Sequence, residues 1–225
     1  MCGRFALAYP RSSLIDWYRA ASMPKIEPRY NIAPSDDILV IRDGDQGRSG
    51  SMMRWGLIPH WVRDTKKLPL LFNARAESLA TKPMFKHAFH RKRCLIPASG
   101  FYEWKLLSDG KNKQPFYISA KDSPLSFAGL WETATVDEAV IDSCTIITTE
   151  SNSLMRPIHD RMPVILPPEV WDAWLASAQQ ADDSLLSLLK LQPSGQMLLW
   201  PVSPAVGRTS NQGEQLIQPV CCHSV

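Results

Sequence analysis

Short spans of alternating apolar and polar residues dominate this chain, and helical spacing is confined to a few stretches. Leu14, Ile15, Trp17, Tyr18 and Ala21 repeat at helical intervals, with Ser12 or Ser13 as the expected cap and Pro24 and Pro28 beyond the end. Pro83 suits the first turn of a second helix carrying Met84, Phe85, Ala88 and Phe89. Pro167, Pro168 and Glu169 open a third with Val170, Trp171, Trp174 and Leu175, and Leu185, Leu186, Leu188 and Leu189 form a fourth. Strands are predicted over 38–41, 52–57, 94–98, 101–107, 116–120, 125–131, 144–149, 164–166 and 197–202. Asp43-Gly44-Asp45-Gln46-Gly47 and Ser108-Asp109-Gly110 are turn sequences between neighbouring strands. Residues 29–34 and the aromatic stretch 55–61 read as loops, and the apolar run 68–72 ends at Asn73-Ala74-Arg75-Ala76-Glu77. The pattern implies an α+β fold, mostly antiparallel β, with barrel-like curled sheets and flanking short helices, in a single domain over 1–225.

Composition narrows the setting. The chain has 225 residues, enough for a sizeable core, and its 44% hydrophobic and 21% charged content is ordinary for a globular protein. The net charge of +3 permits an anionic partner without requiring one. The N-terminus lacks a basic segment followed by an apolar run, and no apolar stretch approaches the roughly 20 residues of a membrane span. Five scattered cysteines, an odd number, argue for a reducing compartment, so a cytoplasmic monomer is expected. Cys221-Cys222-His223 invites a zinc reading, but no paired knuckle stands at ligand spacing elsewhere, so no metal is expected. The basic run from Lys86 to Arg93 suggests nucleic acid, and equally a solvated helix face.

The first candidate for chemistry is Cys2. If Met1 is removed, as a small side chain at position two favours, the chain begins with an amine and a thiol two carbons apart. An aldehyde meeting that pair forms an imine, and the thiol closes it to a five-membered thiazolidine. With reference pKa values of roughly 7.7–8.0 and about 8.5, both groups are expected to be usable near neutrality. Ring closure is intramolecular and gains a large effective concentration. The other reading of Cys2 is an early core residue.

Four further patches stand out. Asn73-Ala74-Arg75 offers an amide to orient a hydroxyl or carbonyl and a guanidinium that forks phosphate, or else a turn and a solvated charge. In Gly100-Phe101-Tyr102-Glu103-Trp104-Lys105, alternation puts Phe101, Glu103 and Lys105 on one face. A carboxylate among aromatic side chains has a raised pKa and suits a proton shuttle, whereas a surface Glu103 would pair with Lys105. His159-Asp160-Arg161 offers a proton carrier beside an anion-binding cation, or an exposed loop. Trp55, Trp61 and Trp104 can stack on bases, or fill the core.

Six motifs in order resemble one family: Met1-Cys2-Gly3-Arg4-Phe5, Arg29-Tyr30-Asn31-Ile32-Ala33-Pro34, Trp55-Gly56-Leu57-Ile58-Pro59, Asn73-Ala74-Arg75-Ala76-Glu77, Cys94-Leu95-Ile96-Pro97-Ala98-Ser99-Gly100-Phe101-Tyr102-Glu103-Trp104 and His159-Asp160-Arg161-Met162-Pro163. They are similar to the SOS-response-associated peptidase (SRAP) domain proteins, and Pro201-Val202-Ser203 with Val206 and Asn211 resembles the family's C-terminal signature. The resemblance implies a DNA-damage sensor of abasic sites in single-stranded DNA that releases its own Met1 and crosslinks to the lesion, with no cofactor. It implies a catalytic set of Cys2, Asn73, Glu103 and His159. Arg4, Arg75 and Arg161 would hold phosphates, and Asn31, Pro34, Trp61, Trp104 and Thr148 would shape the DNA channel. Where some relatives carry a second tryptophan after Trp61, this chain has Val62. Two other classes share features with the chain. Class II glutamine amidotransferases also begin Met-Cys-Gly, and a noncovalent single-strand-binding module would leave Cys2 inert.

Overall fold

Two long strands, β9 (Leu125–Val136) and β10 (Ala139–Glu150), form the spine of the molecule, pairing antiparallel from Val136 opposite Ala139 to Gly129 opposite Ile146. The computed structural model describes residues 2–176, 183–190 and 197–220. The turn joining the two strands is Asp137-Glu138, with φ of 47° and 67°. Two successive positive φ values match the right-handed twist of a hairpin. Glycine or asparagine usually marks such a turn, and neither is present, so residues 132–143 gave no hairpin signal in the sequence.

A five-stranded barrel closes around this pair. β10 lies parallel to β4 (Ser49–Trp55), with Cys144 opposite Trp55, and β4 pairs antiparallel with β3 (Asp37–Arg42). β3 meets β6 (Arg93–Ala98) at Ile41 and Leu95, and β6 returns to β9. Two short strands extend the barrel along β10: β5 (Asn73–Arg75), parallel to it, and β11 (Arg161–Pro163), antiparallel. A second sheet runs β12 (Met197–Pro201), β8 (Lys113–Ala120), β7 (Gly100–Leu106), β1 (Phe5–Leu7), β2 (Arg29–Ile32). The expected architecture is therefore present, antiparallel except where β10 meets β4 and β5.

Phe5, Trp55, Phe101 and Phe127 lock the two sheets together. Phe5 meets the Trp55 ring edge-on at 5.2 Å and Phe127 at 6.0 Å, and Phe101 meets Phe127 at 5.9 Å. Such pairs add about 0.5–1.5 kcal/mol each beyond area burial. Trp55 is wholly buried, with its indole N–H on the Phe72 carbonyl at 2.8 Å, so it is a core residue and no base platform. Gly100 is fixed by the close approach of β8 to the start of β7: a Cβ there would lie 2.5 Å from the Ile118 carbonyl oxygen.

Among the described residues, four α-helices flank the sheets: α1 (Arg11–Tyr18), α2 (Pro83–Arg91), α3 (Trp171–Leu175) and α4 (Asp183–Leu188). Pro10 occupies the N-cap of α1, so Ser12 and Ser13 lie inside the helix, and Arg19 ends it in the left-handed conformation at φ 49°. Other expectations are corrected locally. Residues 29–32 form β2 instead of a loop, because β1 supplies a pairing edge. Residues 68–72 form no strand beyond one bridge from Leu71 to Leu57, and Asn73 begins a strand instead of following one. The strand expected at 164–166 lies at 161–163. Arg93 is buried, donating to the carbonyls of Phe89 at 2.9 Å, His90 at 3.0 Å and Trp174 at 2.6 Å, and also to that of Ala176. That end of the basic run therefore ties α2 to α3 instead of facing solvent. Among the described residues no helix is long and apolar enough to cross a membrane.

Candidate functional site

Cys2 lies just before β1, fully buried where the second sheet meets the barrel. Phe5 pairs with Phe101, and the Tyr102 N–H donates to the Arg4 carbonyl at 3.0 Å. Antiparallel register carries the N-terminal residues back along β7 toward Glu103, which is 3% exposed. From the barrel side, Asn73 opens β5, held in place by parallel pairing with Ile146 of β10. Its Nδ2 donates to the Cys2 carbonyl at 2.7 Å. Its Oδ1 is buried and has no hydrogen-bond partner among the described residues. A buried acceptor without a donor is costly, and such atoms mark places where a ligand supplies the missing group.

Electrostatics couple three members of this group. Burial pushes the Cys2 thiol far above its ordinary value, and the Glu103 carboxylate pushes it further. Burial also raises the Glu103 carboxyl, against the opposing pull of His159. Both groups are expected to be usable near neutrality from their reference values, and in the fold burial and the neighbouring carboxylate shift the thiol toward its protonated form. His159 is partly buried, its Nδ1 accepting the Arg161 backbone N–H at 3.0 Å with Asp160 Oδ1 at 2.9 Å. One ring nitrogen has a single in-plane position. It accepts from Arg161 when the proton sits on Nε2, and it donates to Asp160 once protonated.

An open cleft of about 470 Å³ adjoins His159, lined by Arg75, Glu150, Ser151, Arg156, Asp160 and Arg161. Arg75 is exposed and its side chain has no hydrogen-bond partner among the described residues. Arg161 is engaged: it grips Glu77 with a fork at 2.8 and 3.0 Å and donates to the Thr148 carbonyl at 2.7 Å. The same contact holds the Glu77 carboxyl below the usual range, the Arg161 hydrogen bond being the largest cause. Three guanidinium groups line this cleft together with the carboxyl groups of Glu150 and Asp160, and Glu77 occupies the fork of Arg161.

Residues 1–209 match the family model for SOS response associated peptidase (SRAP). This chain belongs to the SRAP family. YoqW of Bacillus subtilis, named an abasic site processing protein, is 44% identical over 224 residues, covering 97% of this chain and 99% of YoqW. YedK of Escherichia coli, named likewise, is 34% identical over 234 residues, covering 98% of this chain and all of YedK. A crystal structure of a Bacteroides thetaiotaomicron protein superposes with a TM-score of 0.86 at 26% identity, covering 98% of this chain and 100% of that one.

The remaining residues expected from the SRAP motifs occupy unequal positions. Arg4, expected to hold phosphate, has its guanidinium donating to Asn31 Oδ1 and the Val206 carbonyl, both at 2.8 Å, and to the Gly207 carbonyl at 3.1 Å. Asn31 is buried, and its Nδ2 donates to the carbonyls of Val206, Arg208 and Asn211. Together they fasten residues 206–211 to β2, so both are occupied within the protein. Thr148 is likewise buried, pairing with Arg75 of β5 and accepting from Arg161 at its carbonyl. Trp61 is half exposed, Pro34 partly exposed, and Trp104 partly buried against the cluster of Ala6, Tyr102, Tyr117 and Val202. Val62 is buried with Ile58, Ala134 and Val136, so position 62 faces the interior and offers no stacking surface. Arg156 also lines the cleft, three residues before His159 and outside the motif around it. Cys221-Cys222-His223 lies outside the described residues.

Proposed function

We propose that this chain processes abasic sites in single-stranded DNA by linking itself covalently to the lesion through Cys2, once water has cleaved the Met1–Cys2 bond and released methionine. Its abasic-site-processing relatives support the substrate class. The observation that carries the chemistry is the convergence on Cys2: Asn73 holds its carbonyl, and Glu103, buried beside it, is coupled to its thiol. A nucleophile at position two that is positioned by an amide and sits beside a carboxyl of raised pKa suits attack on a carbonyl carbon.

The abasic sugar is mostly a closed hemiacetal. Opening it moves a proton from the anomeric hydroxyl to the ring oxygen, a transfer suited to the raised carboxyl of Glu103. The freed Cys2 amine then adds to the aldehyde carbon, and the carbonyl oxygen leaves as water, giving an imine. The thiol sulfur bonds to the same carbon, the C=N electron pair returns to nitrogen, and nitrogen takes the thiol proton. Aldehyde and aminothiol become thiazolidine and water, with no oxidant needed. Because the thiol is protonated until that step, the amine acts first, and Glu103 or His159 carries the proton across. Ring closure removes the electron-poor imine that strand cleavage by β-elimination requires, so the strand stays intact. Arg75 and Arg161 hold flanking phosphates, Trp61 and Trp104 offer faces for bases, and Pro34 borders the channel. Arg4, Asn31 and Thr148 act by fixing its walls. The protein works as a cytoplasmic monomer.

The test is a denaturing gel of mature protein with abasic and intact single-stranded oligonucleotides, alongside intact mass. A heat-resistant adduct with the abasic strand only, from protein lacking Met1, is expected. Cys2→Ser keeps the amine and should give an adduct only after borohydride trapping, with more strand cleavage. Full adduct yield from protein retaining Met1 would overturn the mechanism.

A further inference from the structure

Away from Cys2, three side chains from distant parts of the chain converge on one point. His60 comes from the loop after β4, His87 from α2 and Glu132 from β9, and their ligand atoms all lie within 4.8 Å of one another. We propose that His60, His87 and Glu132 bind one divalent transition-metal ion of the zinc class, with its fourth position open to solvent.

The geometry is specific. Glu132 is nearly inaccessible, its side chain 2% exposed, yet its Oε1 faces outward to His87 Nδ1 at 2.5 Å and His60 Nδ1 at 3.5 Å. Both imidazoles thus aim the same nitrogen at the same carboxylate oxygen, their ring centroids 4.2 Å apart. Metal–nitrogen and metal–oxygen bonds of roughly 2.0–2.2 Å in a tetrahedron put ligand atoms about 3.3–3.5 Å apart. The His60 edge already has that length. The His87 edge must open by about 1 Å to reach the same spacing, and its side chain is 47% exposed. Lys92 Nζ holds Glu132 Oε2 at 3.2 Å and lies over the Trp131 ring at 4.8 Å. It orients the carboxylate so that only Oε1 points at the histidines. Two imidazoles and one carboxylate are a donor set suited to zinc, nickel or copper and ill-suited to calcium or magnesium. With both histidines about half exposed, a fourth position remains for water. The ion would also pin the loop carrying Trp61 to α2, since His60 is its neighbour in sequence.

The Cys2 aminothiol and Cys221-Cys222-His223 are competing ligands, so the test separates sulfur from nitrogen. Mature full-length protein, stripped with chelator, is titrated with cobalt(II) and zinc(II), reading stoichiometry by equilibrium dialysis and coordination by cobalt absorption. One ion per chain is expected, with cobalt d–d bands and no thiolate charge-transfer band. His60→Ala and His87→Ala, both at exposed positions, should each weaken binding by at least ~100-fold, beyond the ~10–100-fold typical of outer-shell changes. Cys2→Ser and the double change Cys221→Ser with Cys222→Ser should leave that nitrogen–oxygen site intact. Binding that survives both histidine changes, a thiolate band lost only with the cysteines, or no bound ion at all would overturn the proposal.

Discussion

Asn73→Ala separates holding Cys2 from folding around it. The change removes the 2.7 Å bond from Asn73 Nδ2 to the Cys2 carbonyl and leaves that acceptor in a partly buried site. A net hydrogen bond is worth about 0.5–1.5 kcal/mol, and an orphaned buried partner costs about 1–3 kcal/mol, so global stability should fall by ~1–3 kcal/mol. The effect on rate has a different origin. Without its anchor Cys2 is free to shift, and a misplacement of about 1 Å can cost ~100-fold, equivalent to ~2.7 kcal/mol in the barrier. Single-turnover crosslinking at saturating abasic DNA should therefore slow by about two orders of magnitude, while affinity for the intact strand holds. Asn73→Asp should be at least as slow, because it keeps the shape but replaces the donor with an acceptor facing the Cys2 carbonyl. The assay is a quenched time course on denaturing gels, at a temperature where both proteins are folded. Near-wild-type rates for Asn73→Ala under those conditions would refute the anchoring role and make Asn73 a strand-forming residue only.

Arg156→Ala and Arg75→Ala should each weaken single-strand binding and reduce the slope of log affinity against log salt by about 0.7, the value for one phosphate on a single strand. An unchanged slope would remove that arginine from the interface. Glu77→Gln releases the Arg161 fork from its carboxylate, so binding should tighten and the salt slope steepen by about 0.7. Weaker binding instead would mean that Glu77 aims Arg161 at the strand.

The sequence was most informative where local chemistry alone determines structure. Pro83 and the apolar spacing behind it mark α2 within a residue or two, and the turn residues around Gly44 and Gly110 fix two hairpins. It was least informative where tertiary pairing decides. β1 is buried on both faces, so Phe5-Ala6-Leu7 shows no alternation, and β2 exists because β1 offers it an edge. The site divides the same way. Cys2 and Glu103 draw a chemical reading by residue type and aromatic neighbours, beside the competing readings of a core cysteine and a surface Glu103–Lys105 pair. Arg4 is expected to hold phosphate and Asn31 to shape the DNA channel, and both side chains reach the carbonyls of residues 206–211, some 175–203 positions away. Glu77 gave no signal because its partner, Arg161, is 84 residues distant. The His60, His87 and Glu132 cluster is invisible for the same reason, since no spacing rule joins a loop, a helix and a strand.

Glu103→Gln sets function against stability. Burial raises the Glu103 carboxyl in the folded protein above its ordinary value near 4.5. Below the unfolded value both states carry the proton and Glu103 contributes no pH dependence. As pH rises past it, the unfolded chain releases the proton while the folded chain retains it, so stability falls until the raised folded value is passed. At neutral pH the wild type therefore carries a penalty that glutamine, of the same shape and without charge, does not. The variant should melt at a higher temperature than wild type at neutral pH, and the gap should close on acidification toward pH 4.5. Its crosslinking should nonetheless slow by roughly 10²–10⁴-fold and lose one limb of the pH–rate profile, as expected when a general acid–base group is removed. A surface Glu103 paired with Lys105 predicts the reverse, a small loss of stability and a normal rate. The 3% exposure of Glu103 favours the buried, proton-carrying role. Pre-steady-state crosslinking and thermal unfolding on the same preparations decide the matter: a variant both less stable and fully active would leave Glu103 with a structural role alone.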